Sequence, residues 1–183
     1  MSGPLILPFD GFAPRIAPDA FVARTATVIG DVVIGADCGI FFGCVLRGDG
    51  NIIGIGERSN IQDGTIIHVN AQADGGRGKD GYACRIGDDV TIGHMVLLHA
   101  CTLEDGSFVG MKACVMDGAV VETQAMVAAG ALVTPGKRVR RGELWAGSPA
   151  KLMRRLSEDE FASFVWTANH YVGRARAYRK LGG

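Results

Sequence analysis

The sequence predicts a mainly β fold, a parallel β-helix of six-residue repeats followed by one C-terminal α-helix, and three observations carry that prediction. An aliphatic residue stands at every sixth position in Ile16, Val22, Val28, Ile34, Ile40 and Leu46. The period returns at Ile55, Ile61 and Ile67, at Ile86, Ile92 and Leu98, and from Leu103 through Val109, Val115, Val121, Val127 and Val133 to Val139. An amphipathic helix repeats near 3.6 residues and a hairpin sheet alternates without punctuation, so neither writes this pattern, whereas stacked short strands do. Glycine is abundant, at 27 of 183 residues, and aromatics are few, at 7%, which fits many tight turns better than a helical or sandwich core. Finally, the period stops after Val139, and Ser157-Glu158-Asp159-Glu160 forms a capping box that opens a helix.

In each repeat the aliphatic side chain points inward and its successor outward. The pattern resembles that of the hexapeptide-repeat family, and the resemblance implies a left-handed β-helix of triangular section with three rungs per coil. Handedness rests on that resemblance alone, since general topology favours right-handed crossovers. Three interruptions mark the repeat: Ile55 stands nine positions after Leu46 instead of six, residues 70–84 form a loop rich in Gly and Asp, and Leu98 to Leu103 is one residue short. Insertions in solenoids collect on one side, often the functional one. Residues from Gly142 to Pro149 read as the exit loop, and the helix runs to about Lys180. The expectation is one domain over 1–183, with the β-helix over about 12–146 and the helix over about 157–180.

Charge and cysteines narrow the function classes. Lys plus Arg equals Asp plus Glu at 19 each, so no net field draws nucleic acid or anionic lipid. The run Lys137, Arg138, Arg140 and Arg141, with Arg154 and Arg155 later, lacks the interleaved aromatics of a nucleic-acid platform. The cysteines, Cys38, Cys44, Cys84, Cys101 and Cys114, are odd in number and show no CxxC spacing, which argues against a disulfide framework or a cysteine zinc site. Cys101, close to His99, reads as a small packing residue, because a fourth protein ligand would close a catalytic metal site. The first thirty residues lack a charged segment followed by an apolar one, and no run approaches the roughly 18 apolar residues that span a bilayer. The expected setting is the cytoplasm, with no membrane contact.

Rung counting places the histidines. With the two longer gaps taken as insertions, Leu46, Ile67 and Leu98 fall on one face in successive coils, here the third, so Arg47, His68 and His99 point outward in one column. Neighbouring rungs lie about 4.8 Å apart, close enough for two imidazoles to share a metal. Ile40, Ile61 and Ile92 fall on the second face, where Gln62, Asp63 and His94 follow. Three histidines with one open position make the usual catalytic zinc site, but His94 lies on another face from the pair. A closed threefold ring that sets the third face of one protomer against the second face of the next resolves this. The site is then expected at the interface of a homotrimer, with His68, His94 and His99 as ligands.

Arg47-Gly48-Asp49, Asn60-Ile61-Gln62-Asp63-Gly64, His68, Ile92-Gly93-His94 and His99 together resemble the signature of the γ-carbonic anhydrases and their bacterial relatives. Gly147-Ser148-Pro149-Ala150-Lys151 is similar to that family's exit segment. The resemblance implies Zn2+, or Fe2+ or Co2+, held by the three histidines, and Gln62 orienting the metal's water. It also implies Arg47 paired with Asp63 across the interface, Asp49 steadying them, and Asn169 approaching the substrate. The structural alternative for Arg47, Asp49 and Asp63 is an ion-pair network that fixes trimer register. A divalent ion on three neutral imidazoles brings its water's pKa to about 7, so hydroxide can attack CO2 and give bicarbonate. The chain departs from the best-known active members because Gly50 follows Asp49 where they carry an acidic residue, and residues 70–84 offer only Asp74 and Asp80. The resemblance thus leaves the proton-transfer group unassigned. Two other classes stay open: an acyltransferase or thioesterase acting on a CoA ester, which would need one working histidine rather than three, and a non-catalytic metal-binding trimer.

Overall fold

A computed structural model of the chain describes residues 3–71 and 83–181; the candidate carboxylates Asp74 and Asp80 lie outside them. Short parallel strands wind into a left-handed β-helix of about seven coils with one C-terminal helix. The six-residue period is its inward face. From Val28 to Val139 every repeat aliphatic is buried, and these side chains form one continuous core.

The pairing follows the counted faces. On the first face Ile16, Ile34, Ile55, Ile86, Leu103, Val121 and Val139 are successive partners. Ile40, Ile61, Ile92, Val109 and Val127 stack on the second. Leu46, Ile67, Leu98, Val115 and Val133 stack on the third. All three interruptions fall at the corner between the third and first faces. There the nine-residue gap becomes part of one long strand, Val45–Ile55, rather than a loop. Backbones meet closely at this corner: a Cβ on Gly48 would stand 2.5 Å from the carbonyl oxygen of Asp31. Only glycine lets the strand carrying Arg47 and Asp49 lie this near the coil below.

Both ends of the helical prism differ from the expected layout. Leu5–Leu7 already pairs with residues 27–29, so strand structure begins before residue 12. The expected exit loop is instead a strand, Glu143–Gly147, which continues the second face and turns back as an antiparallel hairpin with Ala150–Arg155. The carbonyl and N–H groups of the last second-face coil need partners, and a Gly- and Pro-containing segment supplies them once it can turn at Ser148-Pro149.

The helix Glu158–Lys180 opens on the capping box, with Ser157 as N-cap and Glu160 closing it. Its buried residues Phe164, Ala168, Val172 and Ala175 lie at helical spacing on one side, which packs along the second face. Phe164 stacks on Phe108 at 4.9 Å between ring centroids, and Tyr171 meets Phe41 edge to face. Arg176 forks onto Asp37 with bonds of 2.9 and 2.7 Å, fixing the far end.

Candidate metal centre

The third face presents Arg47, His68 and His99 as direct partners in adjoining strands. A shared parallel register sets their Cα atoms one rung apart, and outward alternation aims all three side chains the same way. The His68 and His99 ring centroids are 5.1 Å apart, with Nδ1 of His68 3.1 Å from Nε2 of His99.

Each imidazole is held from its far side by a carboxylate. Nε2 of His68 lies 3.0 Å from Asp49, and Nδ1 of His99 lies 2.6 Å from Asp117. Asp117 takes a second bond from the Asn70 amide at 3.1 Å, and Asp49 also accepts from Arg47. Burial disfavours the charged form of His68 and holds its pKa below the ordinary histidine value, despite the opposing bond to Asp49. Burial opposes ionisation of Asp49 and Asp117 as well. The donors from Arg47 and His68 on one, and from His99 and Asn70 on the other, nevertheless hold both below the usual carboxylate range.

These contacts fix the tautomers. A neutral imidazole carries one N–H, and in each ring it goes to the carboxylate. Two ring lone pairs then face each other across 3.1 Å, an arrangement that repels unless a cation lies between them. Two nitrogens bound tetrahedrally at 2.0–2.1 Å from one zinc ion stand about 3.3 Å apart, so the donor set fits such an ion with a small adjustment. Carboxylate partners on the outer ring nitrogens are the usual support of metal-ligating histidines.

His94 is elsewhere, as the rung count requires. It follows Ile92 and Gly93 at the corner between the second and third faces, with Nδ1 2.9 Å from Asp63 and much of its ring exposed. Asp63 also accepts from the backbone N–H of Phe42 at 3.2 Å, so one carboxylate ties three successive coils. Among the described residues of a single chain, no three His, Cys, Asp or Glu side chains are gathered to hold a metal. His68 and His99 are brought together, and His94 stands apart on the second face.

Within the chain Arg47 bonds to Asp49, while Asp63 belongs to His94. Gln62 is 6% exposed, and its amide donates to Asn60 at 3.0 Å, which in turn donates to Thr91. Asn169 lines a cavity of about 400 Å3 with Asp89, Asp105, Thr123 and Gln124, whose walls do not include His68 or His99 of the same chain. Successive helical residues are turned by about 100°, so it is His170 that shares a cavity with Asp63. Rung counting missed Asp117, although it stands 18 residues, one coil, after His99. The basic run is largely paired within the chain, Arg138 to Glu122 and Arg154 to Glu160. Among the described residues no helix is long and apolar enough to cross a membrane.

No family model matches the chain. It is 46% identical over 166 residues to gamma carbonic anhydrase 2, mitochondrial, of Arabidopsis thaliana, an alignment covering 91% of this chain and 59% of that protein. The chain therefore spans under two thirds of that relative's length. It is 41% identical over 168 residues to protein YrdA of Escherichia coli, covering 92% of this chain and 90% of YrdA. Among solved structures it is similar to a hexapeptide transferase family protein from Anaplasma phagocytophilum, with a TM-score of 0.86, 45% identity, and 95% and 98% of the two chains covered. Likeness at this level over nearly the whole sequence, with the repeat, the histidine column and its carboxylates in place, shows that the chain belongs to the hexapeptide-repeat γ-carbonic anhydrase family.

Proposed function

We propose that this protein is a metal-dependent, γ-carbonic anhydrase-like homotrimer that interconverts CO2 and bicarbonate. The observation that carries the reading is the pair of ring nitrogens of His68 and His99 that face each other at 3.1 Å, each ring held from its other nitrogen by a carboxylate. His68 and His99 of one protomer and His94 of its neighbour would hold the ion, with three sites per trimer. Neutral imidazoles suit Zn2+, and they also accept Fe2+ or Co2+. When bound, such an ion lowers the pKa of its water to about 7 and so supplies hydroxide at neutral pH.

The chain's own residues do the rest. Asp49 and Asp117 hold the two rings in the ligand tautomer, and Asp63 holds His94 with its Nε2 free. Gln62, beside Asp63, would orient the reacting water, and Arg47 and Asp63 would pair across the interface. The third face supports association through Ile66 and Leu97, outward-facing, mutually paired and 46% and 41% exposed beside the histidines. Met95 and Met111, both exposed, continue this apolar surface at the adjoining corner.

The testing experiment is stopped-flow CO2 hydration on purified protein of measured metal content, run beside an acetyl-CoA transfer assay. Hydration that scales with metal occupancy, at close to one equivalent per chain, is expected. Transfer without hydration would instead favour the acyltransferase reading suggested by the name of the Anaplasma relative, and metal with neither activity would favour a structural trimer.

A further inference from the structure

Hydration of CO2 by water yields bicarbonate and one proton, and each turnover needs a group that takes that proton away. Gly50 occupies the position after Asp49, so no carboxylate is available there. On the other side of the site, a cavity of about 220 Å3 lies between the second-face corner and the helix. Its walls are Phe41, Phe42 and Tyr178, and its polar groups are Asp63, His170, Tyr171 and Arg174. Asp63, which holds His94 at 2.9 Å, is one of the groups lining this cavity together with His170. A space of this size admits several waters.

We propose that His170 is the proton-transfer residue of this site, passing the proton released beside His94 and Asp63 through this cavity to solvent. The proposal rests on the hydratase reading above. His170 is half-buried and held in place: Trp166 stacks on it at 5.0 Å and 19° between ring planes, and Tyr171 lies edge to face at 5.7 Å. Arg174 donates through Nε to Nε2 of His170 at 3.3 Å, which assigns the ring hydrogen to Nδ1. The ring can thus relay. A proton bonding at Nε2 replaces the Arg174 hydrogen bond, Nδ1 releases its hydrogen to a buffer base, and exchange with water restores the starting tautomer. One proton enters, one leaves, and no electrons move.

The other groups facing His170 do not offer this route. Burial, reinforced by the Asp63 charge, pushes the Tyr171 phenol up, so it stays protonated at neutral pH. Arg174 keeps its proton, and Asp63 is engaged by His94 and by the Phe42 N–H. Histidine is the side-chain type suited to exchange protons between pH 5 and 8.

The test is His170→Ala in the metal-loaded trimer, with His170→Gln as a variant closer in size. In dilute buffer kcat for CO2 hydration should fall at least about tenfold, with kcat/KM unchanged and kcat restored by added imidazole. Independently of turnover, ¹⁵N-histidine NMR should show His170 with Nε2 as acceptor, a pattern lost in Arg174→Gln. Unaltered kcat, a parallel fall in kcat/KM, absence of imidazole rescue, or ring signals that show Nε2 carrying the hydrogen would each overturn the assignment. Wild-type protein that carries metal but does not hydrate CO2 overturns the hydratase reading and this proposal with it. An active wild type with an indifferent His170→Ala variant overturns the His170 role alone.

Discussion

At the residue scale the binding chemistry is set less by the histidines than by what stands behind them. Removing the Asp117 charge leaves His99 free to place its hydrogen on Nε2, the nitrogen that faces His68. Asp117→Asn is therefore expected to lower metal affinity about 10–100-fold, measured by competition with a chelator, while the circular dichroism of the β-helix stays unchanged. Affinity equal to wild type would mean that the ring orientation is set elsewhere. The column of Arg47, His68 and His99 was legible because a parallel repeat converts sequence distance directly into position. Asp117 obeyed the same arithmetic and was passed over, since an aspartate after a repeat aliphatic looks like any solvated turn residue until its partner is known. The facing of the C-terminal helix was not legible, for the opposite reason. On a helix, adjacent residues face different flanks, and nothing in the sequence fixes which flank meets the cleft until Phe164, Ala168, Val172 and Ala175 are seen buried.

At the scale of elements, the helix start is held by Glu160. Its carboxylate accepts two bonds of 2.8 Å from the Arg154 guanidinium and one of 2.9 Å from the Ser157 N–H. With Arg154 as the main cause, its pKa is lowered to about 2. A depressed carboxylate contributes stability that is fully present above its ordinary pKa and lost as pH falls through the folded value. The gap in Tm between wild type and Glu160→Gln should thus stay constant above about pH 4.5 and close toward pH 2, as read by thermal melts. A gap that survives unchanged below pH 2 would remove the charge from the explanation. The capping box was readable because its residues act locally. The hairpin of Glu143–Gly147 and Ala150–Arg155 was not, because its pairing depends on an open coil end. Leu152 and Met153 remain exposed, so no buried alternation announced a strand.

At the scale of the whole molecule, the proposed site needs two chains, and that division can be counted. Subunits carrying His94→Ala keep an intact third face, and subunits carrying His99→Ala keep an intact second face. Neither forms a complete site alone. Refolded together in equal amounts, about a quarter of the interfaces in a closed ring should regain all three ligands, giving about a quarter of wild-type metal content by elemental analysis. No recovery would show that the ligands are not shared in this way. The hairpin has a consequence of its own. A stack of coils exposes an unpaired strand edge at its tip, a template on which another molecule could add end to end. Ala150–Arg155 caps that tip on the second face with an outermost strand bearing Lys151 and Arg155 beside the Glu160-paired Arg154, and the like charges of Lys151 and Arg155 would repel an arriving copy. Lys151→Val together with Arg155→Val should therefore turn a discrete particle into fibres that grow along the prism axis, visible by light scattering. A variant that stays monodisperse would place the barrier to such growth at another tip.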